Sequence, residues 1–104
     1  MIIALPFIKA ENVLAEVRRI ATESTQDLIF LDHAQDRSAQ RGISARQVLN
    51  VLKNGERTSE YEWDTKIEDG WKLTLQRVTA GGKVTVAVKL VKRESVSCLV
   101  VTVY

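Results

Sequence analysis

Three side chains that can bind phosphate or transfer protons are spaced four residues apart, at His33, Arg37 and Arg41. Residues four apart lie on one face of an α-helix, so a helix here would present all three together. Imidazole, present here in the only histidine, suits general acid or base catalysis, and a guanidinium binds phosphate through two hydrogen bonds. Phosphodiester cleavage can use this combination of groups.

A structural role accounts for the same spacing. Arg37 and Arg41 would then form ion pairs with surface acids such as Asp36 and Glu56, and His33 would pack near the start of the helix. The spacing alone leaves both interpretations open.

Other chemistry has little support in the sequence. There is no G-x-S-x-G motif, phosphate loop or G-x-G-x-x-G motif, and one histidine and one cysteine leave no recognisable metal-ligand spacing. We therefore expect neither a metal nor a cofactor.

The charges are distributed unevenly, although the net charge is only +2. Acids predominate from Glu56 to Gly70, whereas the stretch from Trp71 to Arg93 has six basic residues and no acid. Such a stretch creates a local positive field that favours a phosphate-bearing partner. The alternative is that these side chains only keep the edges and turns of a sheet solvated.

Three helices are predicted in the first half of the chain. Apolar residues at helical spacing predict the first over residues 10–23. A second is predicted from an N-cap at Asp32 to about Gln40, and a third from an N-cap at Ser44 to Asn54, because both caps are followed by glutamine three residues later.

Alternating apolar and polar residues predict strands in the second half. Four runs show this pattern or are apolar throughout: Thr58–Trp63, Trp71–Gln76, Val84–Leu90 and Val96–Tyr104, with a hairpin turn at Ala80–Lys83. The predicted fold is α+β, with the N-terminal helices packed on one face of a four-stranded antiparallel meander. The last strand is apolar on both faces, so we expect it to be central.

Length and composition predict one globular domain over residues 1–104. The single cysteine, Cys98, cannot form an intramolecular disulfide, which is typical of a reducing compartment. The apolar run from Met1 to Ile8 contains Pro6 and is too short to span a bilayer. We therefore expect a cytoplasmic protein that does not bind membranes.

Several of these segments resemble a known family. The stretch from His33 to Ser44, followed by Val48, by Asn54-Gly55 and by the ending Val100–Tyr104, resembles the bacterial family called domain of unknown function 4258. The resemblance covers about residues 28–104 and rests chiefly on the H-x-x-x-R-x-x-x-R-G motif. That family is similar to proteins of the RelE-like and barnase-like ribonuclease fold (barnase–EndoU–colicin–RelE), including the MqsR-type messenger RNA interferases.

The resemblance implies a toxin of a type II toxin–antitoxin pair. Its activity would be that of a metal-independent endoribonuclease acting on messenger RNA, on or off the ribosome. Its partner would be an antitoxin, in some pairs one with a zinc-finger N-terminal part. RelE-type enzymes carry a denser set of basic residues around the sheet than this chain does.

Cleavage of this kind proceeds by attack of a ribose 2′-hydroxyl and requires a base, an acid and cations at the phosphate. The candidate catalytic residues are His33 as base or acid, Arg37 and Arg41 as phosphate ligands, and Tyr104 as proton donor or stacking surface. The candidate RNA-binding residues share the sheet; they are Lys72, Gln76, Lys89 and, as a lesser candidate, Arg77.

The sheet candidates each have an alternative. Lys72, Gln76 and Lys89 occupy the polar parity of their strands, which is also what a plain solvent-facing sheet surface requires. Arg77 falls on the apolar parity, so either a bulge redirects it or it lies at the end of its strand. The acidic segment that begins at Glu56 would repel RNA, so we expect the RNA surface to exclude it.

Two other functions remain open. The protein could be a non-catalytic module that binds RNA or protein through its basic strands, in which case replacing His33 would matter little. A DNA-binding regulator is the weakest candidate, because the third helix has an apolar stripe and offers only Arg46 and Lys53 for reading bases.

Overall fold

The computed structural model describes residues 7–79 and 82–104. Ala80 and Gly81, within the predicted hairpin turn, lie outside the described residues, as do Met1–Pro6 of the apolar N-terminal run. The described helices are α1 (Val13–Glu23), α2 (Asp32–Arg41) and α3 (Ala45–Asn54), with 3-10 turns at Ala10–Asn12 and Thr25–Asp27. None of the described helices has the length and apolarity needed to cross a membrane.

Six strands of the described residues form one mixed sheet. They are β1 (Leu28–Phe30), β2 (Glu56–Arg57), β3 (Glu62–Asp64), β4 (Gly70–Thr79), β5 (Gly82–Lys92) and β6 (Val96–Val103). The strand order is β1-β6-β5-β4-β2, with β3 also paired to β4. All pairs are antiparallel except β1 with β6, which is parallel.

The first face of the sheet carries the hydrophobic core. Alternate residues of β4, β5 and β6, such as Leu73, Val88 and Val100, are buried there with the apolar stripes of α1 and α3. The second face carries the opposite parity and is more polar on β4, where Lys72, Thr74 and Gln76 lie. We call these the helix face and the second face below.

The helix predictions are confirmed except at the start of α2. Ser44 caps α3 with a complete capping box, in which its side chain accepts from the Gln47 N–H and Gln47 Oε1 accepts from the Ser44 N–H. The N-cap of α2 is Leu31 and not Asp32, and it makes no side-chain capping bond. Backbone pairing explains this shift by one residue, because the Leu31 N–H donates to the Val100 carbonyl (3.1 Å) and extends the strand ladder.

The α+β class is confirmed, but the predicted four-stranded meander is wrong. The short run Leu28–Phe30 pairs in parallel with β6, which places β6 inside the sheet. Of the predicted strand Thr58–Trp63 only Glu62 and Trp63 lie in a strand, because the Ser59 hydroxyl and not a backbone carbonyl accepts from the Thr74 N–H (2.8 Å). The regular ladder resumes only at β3.

Candidate functional site

Helix α2 lies beside the C-terminal half of β6. The chain leaves β1 at Phe30, which is paired with Val100, and enters α2 directly. Ala34 is fully buried in the core, and Gly42 ends the helix in the left-handed conformation (φ 65°) that an L side chain rarely adopts. These local features fix α2 at the edge of the core with its other faces available.

His33, Arg37 and Arg41 all lie on α2 as predicted, with His33 and Arg41 exposed and Arg37 half-buried. Among the described residues, no side-chain hydrogen bond or ion pair joins any of the three to another group. Ion pairs with Asp36 or Glu56, the structural alternative, do not form within 4.0 Å. Helix α2 therefore presents three side chains that have no hydrogen bond or ion pair to a described residue.

Arg37 has a further distinguishing feature. Its Nε is buried without a hydrogen-bond partner, as is the neighbouring Ser38 Oγ. A buried polar atom without a partner costs about 1–3 kcal/mol, and most such atoms in folded proteins are satisfied by protein or water. Only a group that accepted a hydrogen bond from Nε itself would remove this cost.

Arg41 and Tyr104 line the same cleft, whose volume is about 200 Å³. Gln47 and Lys83 line it as well, and the Tyr104 side chain is about half exposed. Neither His33 nor Arg37 lines this cleft in the described part of the chain.

Gln47 and Lys83 were not identified from the sequence. The signal for Lys83 was available, because a meander places the first residues of β5 beside the last residues of β6. The observed register, with Val86 opposite Val103, places Lys83 at that end of the sheet.

The sheet candidates occupy two separate places. Lys72 and Lys89 are direct neighbours on the second face, and Gln76 lies on the same face opposite Thr85. Gln76 and Arg77 line a different cleft, of about 350 Å³.

Lys89 is buried. Its Nζ donates to the Lys66 carbonyl (3.0 Å) and lies 3.5 Å from Asp64 Oδ2. Its ammonium group is thus engaged within the protein, whereas Lys72 makes no side-chain hydrogen bond to a described residue.

Arg77 lies near the end of β4 and is exposed. The register of β4 with β5 is regular through the pair of Arg77 with Val84, so no bulge redirects the side chain. Its Nη1 donates to the Asn54 carbonyl at the end of α3 (3.1 Å). Of the two accounts given above, the end of the strand is the correct one.

The acidic segment reaches the second face instead of remaining at its own edge. The Lys66 N–H and, next, the Lys89 ammonium hold the pKa of the Asp64 carboxyl below its usual range. Two hydrogen bonds from Arg93 (3.1 and 2.9 Å) likewise lower the pKa of Glu68. Two bases of the basic stretch are therefore neutralised by acids of the preceding segment.

The aromatic residues of this region pack against one another. Trp63 meets Trp71 and Phe7 edge to face, with ring centroids 5.3 and 5.9 Å apart. The Trp71 indole N–H donates to the Ile8 carbonyl (2.8 Å), and the Arg57 guanidinium lies 4.1 Å from the centroid of the Tyr61 ring. These rings fix the N-terminal segment to β3 and β4.

No group of three or more His, Cys, Asp or Glu side chains is arranged to hold a metal ion within residues 7–79 and 82–104.

Comparison with known proteins identifies the family. Residues 30–104, most of the chain, match the family model described as Domain of unknown function (DUF4258). The chain belongs to this family. The DUF4258 match includes α2, α3 and Tyr104, whereas α1 precedes it. Neither curated proteins nor solved structures gave a match.

Proposed function

We propose that this protein is a metal-independent endoribonuclease that binds RNA along α2, and that it acts as the toxin of a type II toxin–antitoxin pair. The observation that carries the proposal is the row of His33, Arg37 and Arg41 on α2, whose side chains have no hydrogen bond or ion pair to a described residue. A phosphate is the natural ligand of such a row, because a guanidinium binds it through two charge-assisted hydrogen bonds.

The spacing suits one scissile phosphate at Arg37. An α-helix rises about 1.5 Å per residue, so His33 and Arg41 lie about 6 Å along the axis on either side of Arg37. Tyr104 lines the cleft of Arg41. Along the helix, the imidazole thus lies on one side of Arg37, and Arg41, whose cleft Tyr104 lines, lies on the other.

The proposed reaction needs only these groups. His33 takes the proton of the 2′-hydroxyl, O2′ attacks phosphorus, and the bond from phosphorus to O5′ breaks as Tyr104 donates a proton to O5′. The products are a 2′,3′-cyclic phosphate and a 5′-hydroxyl. Arg37 and Arg41 stabilise the additional negative charge of the pentacoordinate transition state.

A RelE-like fold is part of the proposal. It is supported by the packing of α1 and α3 against one face of the antiparallel strands β4, β5 and β6, which leaves Lys72, Thr74 and Gln76 of β4 partly exposed on the second face. Lys72 and Gln76 of that face are the proposed contacts for the flanking nucleotides. The proposed partner is an antitoxin that covers the α2 row.

The test uses purified protein and a single-stranded RNA whose new ends are mapped. We expect 5′-hydroxyl ends and no cleavage at positions that carry a 2′-deoxyribose. His33→Ala should lower the cleavage rate by about 10²–10⁴-fold, the usual contribution of a general acid or base. Arg46→Ala is the matched control, because Arg46 is exposed on α3 and has no side-chain partner among the described residues.

Expression in bacteria tests the toxin role. Growth arrest with the wild type and not with His33→Ala supports it. Cleavage that persists unchanged in His33→Ala, or that requires no 2′-hydroxyl, would overturn the mechanism.

One observation favours a second candidate, the non-catalytic RNA-binding module. No described group hydrogen-bonds to His33, although a catalytic histidine is usually oriented by a second side chain. A binding module would retain RNA without producing new ends, and His33→Ala would leave its affinity nearly unchanged, whereas Arg37→Ala would lower it.

A further inference from the structure

A cavity separate from the α2 row opens on the second face. It lies between the β3–β4 loop and the residue that precedes α2, and its volume is about 260 Å³. Leu31, Leu99 and Val101 provide apolar walls, and Ile67 lies at its rim. None of the proposed catalytic side chains lines it.

The charges around this cavity do not balance. Four bases and two acids line it, and both acids are already paired, Asp64 with Lys89 (3.5 Å) and Glu68 with Arg93 (2.9 Å). Lys66 and Lys72 have no ion pair among the described residues. An apolar cavity with two ammonium groups that form no ion pair is complementary to an anion with an apolar body.

The loop over the cavity is held in an unfavourable conformation. The Glu68 N–H donates to the Lys66 carbonyl (2.7 Å), which closes a three-residue turn about Ile67. Ile67 has φ 67°, and it is the only described residue other than glycine with a positive φ. This turn is rare and strained, and a β-branched residue is among the least suited to it.

The fold itself gains nothing from this isoleucine, because its side chain is fully exposed. Strained residues that persist at exposed positions are typical of binding sites. A ligand in the cavity would cover Ile67, and the side chain would then contribute to binding.

We propose that this cavity binds a small organic carboxylate with an unbranched apolar chain, the carboxylate at Lys72 and Lys66 and the chain against Leu31, Leu99 and Val101. The volume lies just below the range of drug-sized sites, so the ligand is a short chain and not a folded-over lipid. This site shares Lys72 with the proposed RNA contacts but uses none of the proposed catalytic residues, so it stands if RNA cleavage is absent.

The test titrates the whole protein with octanoate and follows backbone amide shifts by NMR. We expect saturable shifts at Leu99, Val101 and the loop that contains Ile67. Octylammonium and octanol are the matched probes, since they keep the chain and change only the head group. Both should bind about tenfold more weakly or not at all, the scale of one lost charge-assisted hydrogen bond.

Variants locate the two parts of the ligand. Lys72→Gln should weaken octanoate binding about tenfold, whereas Lys92→Gln should leave it within twofold, because Lys92 is exposed at the end of β5 and does not line the cavity. Ile67→Gly should weaken binding without lowering the unfolding midpoint, which separates loss of the site from loss of the fold.

The proposal is overturned by any of three results. These are no saturable shift at the cavity residues with millimolar octanoate, equal binding of octylammonium, or unchanged octanoate affinity in Lys72→Gln.

Discussion

Replacing Ile67 with glycine should make the protein more stable. The left-handed conformation at φ 67° costs an L residue about 1–2 kcal/mol, and glycine adopts it without that cost. Glycine also gives the unfolded chain more conformational freedom, which stabilises the unfolded state by about 0.4–1 kcal/mol. No packing is lost, because the side chain is fully exposed.

The expected net gain in the free energy of unfolding is about 0–1.6 kcal/mol, centred near 0.8 kcal/mol. At the centre of that range, Tm rises by about 3–6 °C for a domain of this size. Urea denaturation followed by circular dichroism measures the free energy, and thermal denaturation gives Tm. Ile67→Ala is the matched control, since alanine keeps the Cβ that causes the strain and removes the rest of the side chain. It should change stability by less than about 0.5 kcal/mol.

The comparison of Ile67→Gly with Ile67→Ala tests whether the turn about Ile67 is strained. If Ile67→Gly is no more stable than Ile67→Ala, the turn is not strained in the folded protein. The argument that Ile67 is maintained for a ligand would then lose its energetic basis, although the cavity and its charges would remain.

Two further predictions concern the core. Arg18→Met should lower the free energy of unfolding by about 2–3 kcal/mol. The Arg18 guanidinium donates to the carbonyls of Lys53 (2.5 Å) and Gly55 (2.7 Å) at the end of α3. Each hydrogen bond to a charged group contributes about 1.5 kcal/mol or more. Urea denaturation checks this, with Arg46→Met as a control that should leave the midpoint unchanged, because Arg46 is exposed on α3 and has no side-chain partner among the described residues; equal effects would contradict it. Burial raises the pKa of the Cys98 thiol to about 12. The stability that the buried neutral thiol contributes is therefore complete below pH 9 and is lost as the pH rises towards 12, by up to about 1.4 kcal/mol per pH unit. The stability difference between wild type and Cys98→Ala should therefore be smaller at pH 10.5 than at pH 8, and a difference independent of pH would contradict the assignment.

The helices could be predicted because their signals are local. Ser44 and Gln47 are three residues apart and specify the start of α3 through bonds to each other. The start of α2 was displaced by one residue because Leu31 is bound by Val100, almost seventy residues along the chain. Such a partner has no signature in the sequence around Leu31.

The strands that were missed depend on distant partners in the same way. Leu28–Phe30 is three residues long, and its apolar character suits a buried loop as well as a strand. Only its parallel pairing with β6 makes it a strand. The row of groups on α2 was predicted because it depends on helical spacing alone, whereas the cleft that joins Arg41 to Tyr104 depends on the register of the sheet.

The alternation of residues along β5 correctly predicts that Lys89 lies on the same face as Lys72, but it does not indicate that Lys89 is buried. That depends on a loop whose Asp64 and Lys66 lie more than twenty residues away in sequence. Once this loop neutralises Lys89 and Arg93, the basic stretch keeps its free cations mainly elsewhere, and Lys83 is one of them. Lys83 lines the cleft of Arg41, so it adds a positive charge where α2 ends and β5 begins, whereas the charge of Lys89, which the sequence alone placed on the RNA surface, is paired with Asp64.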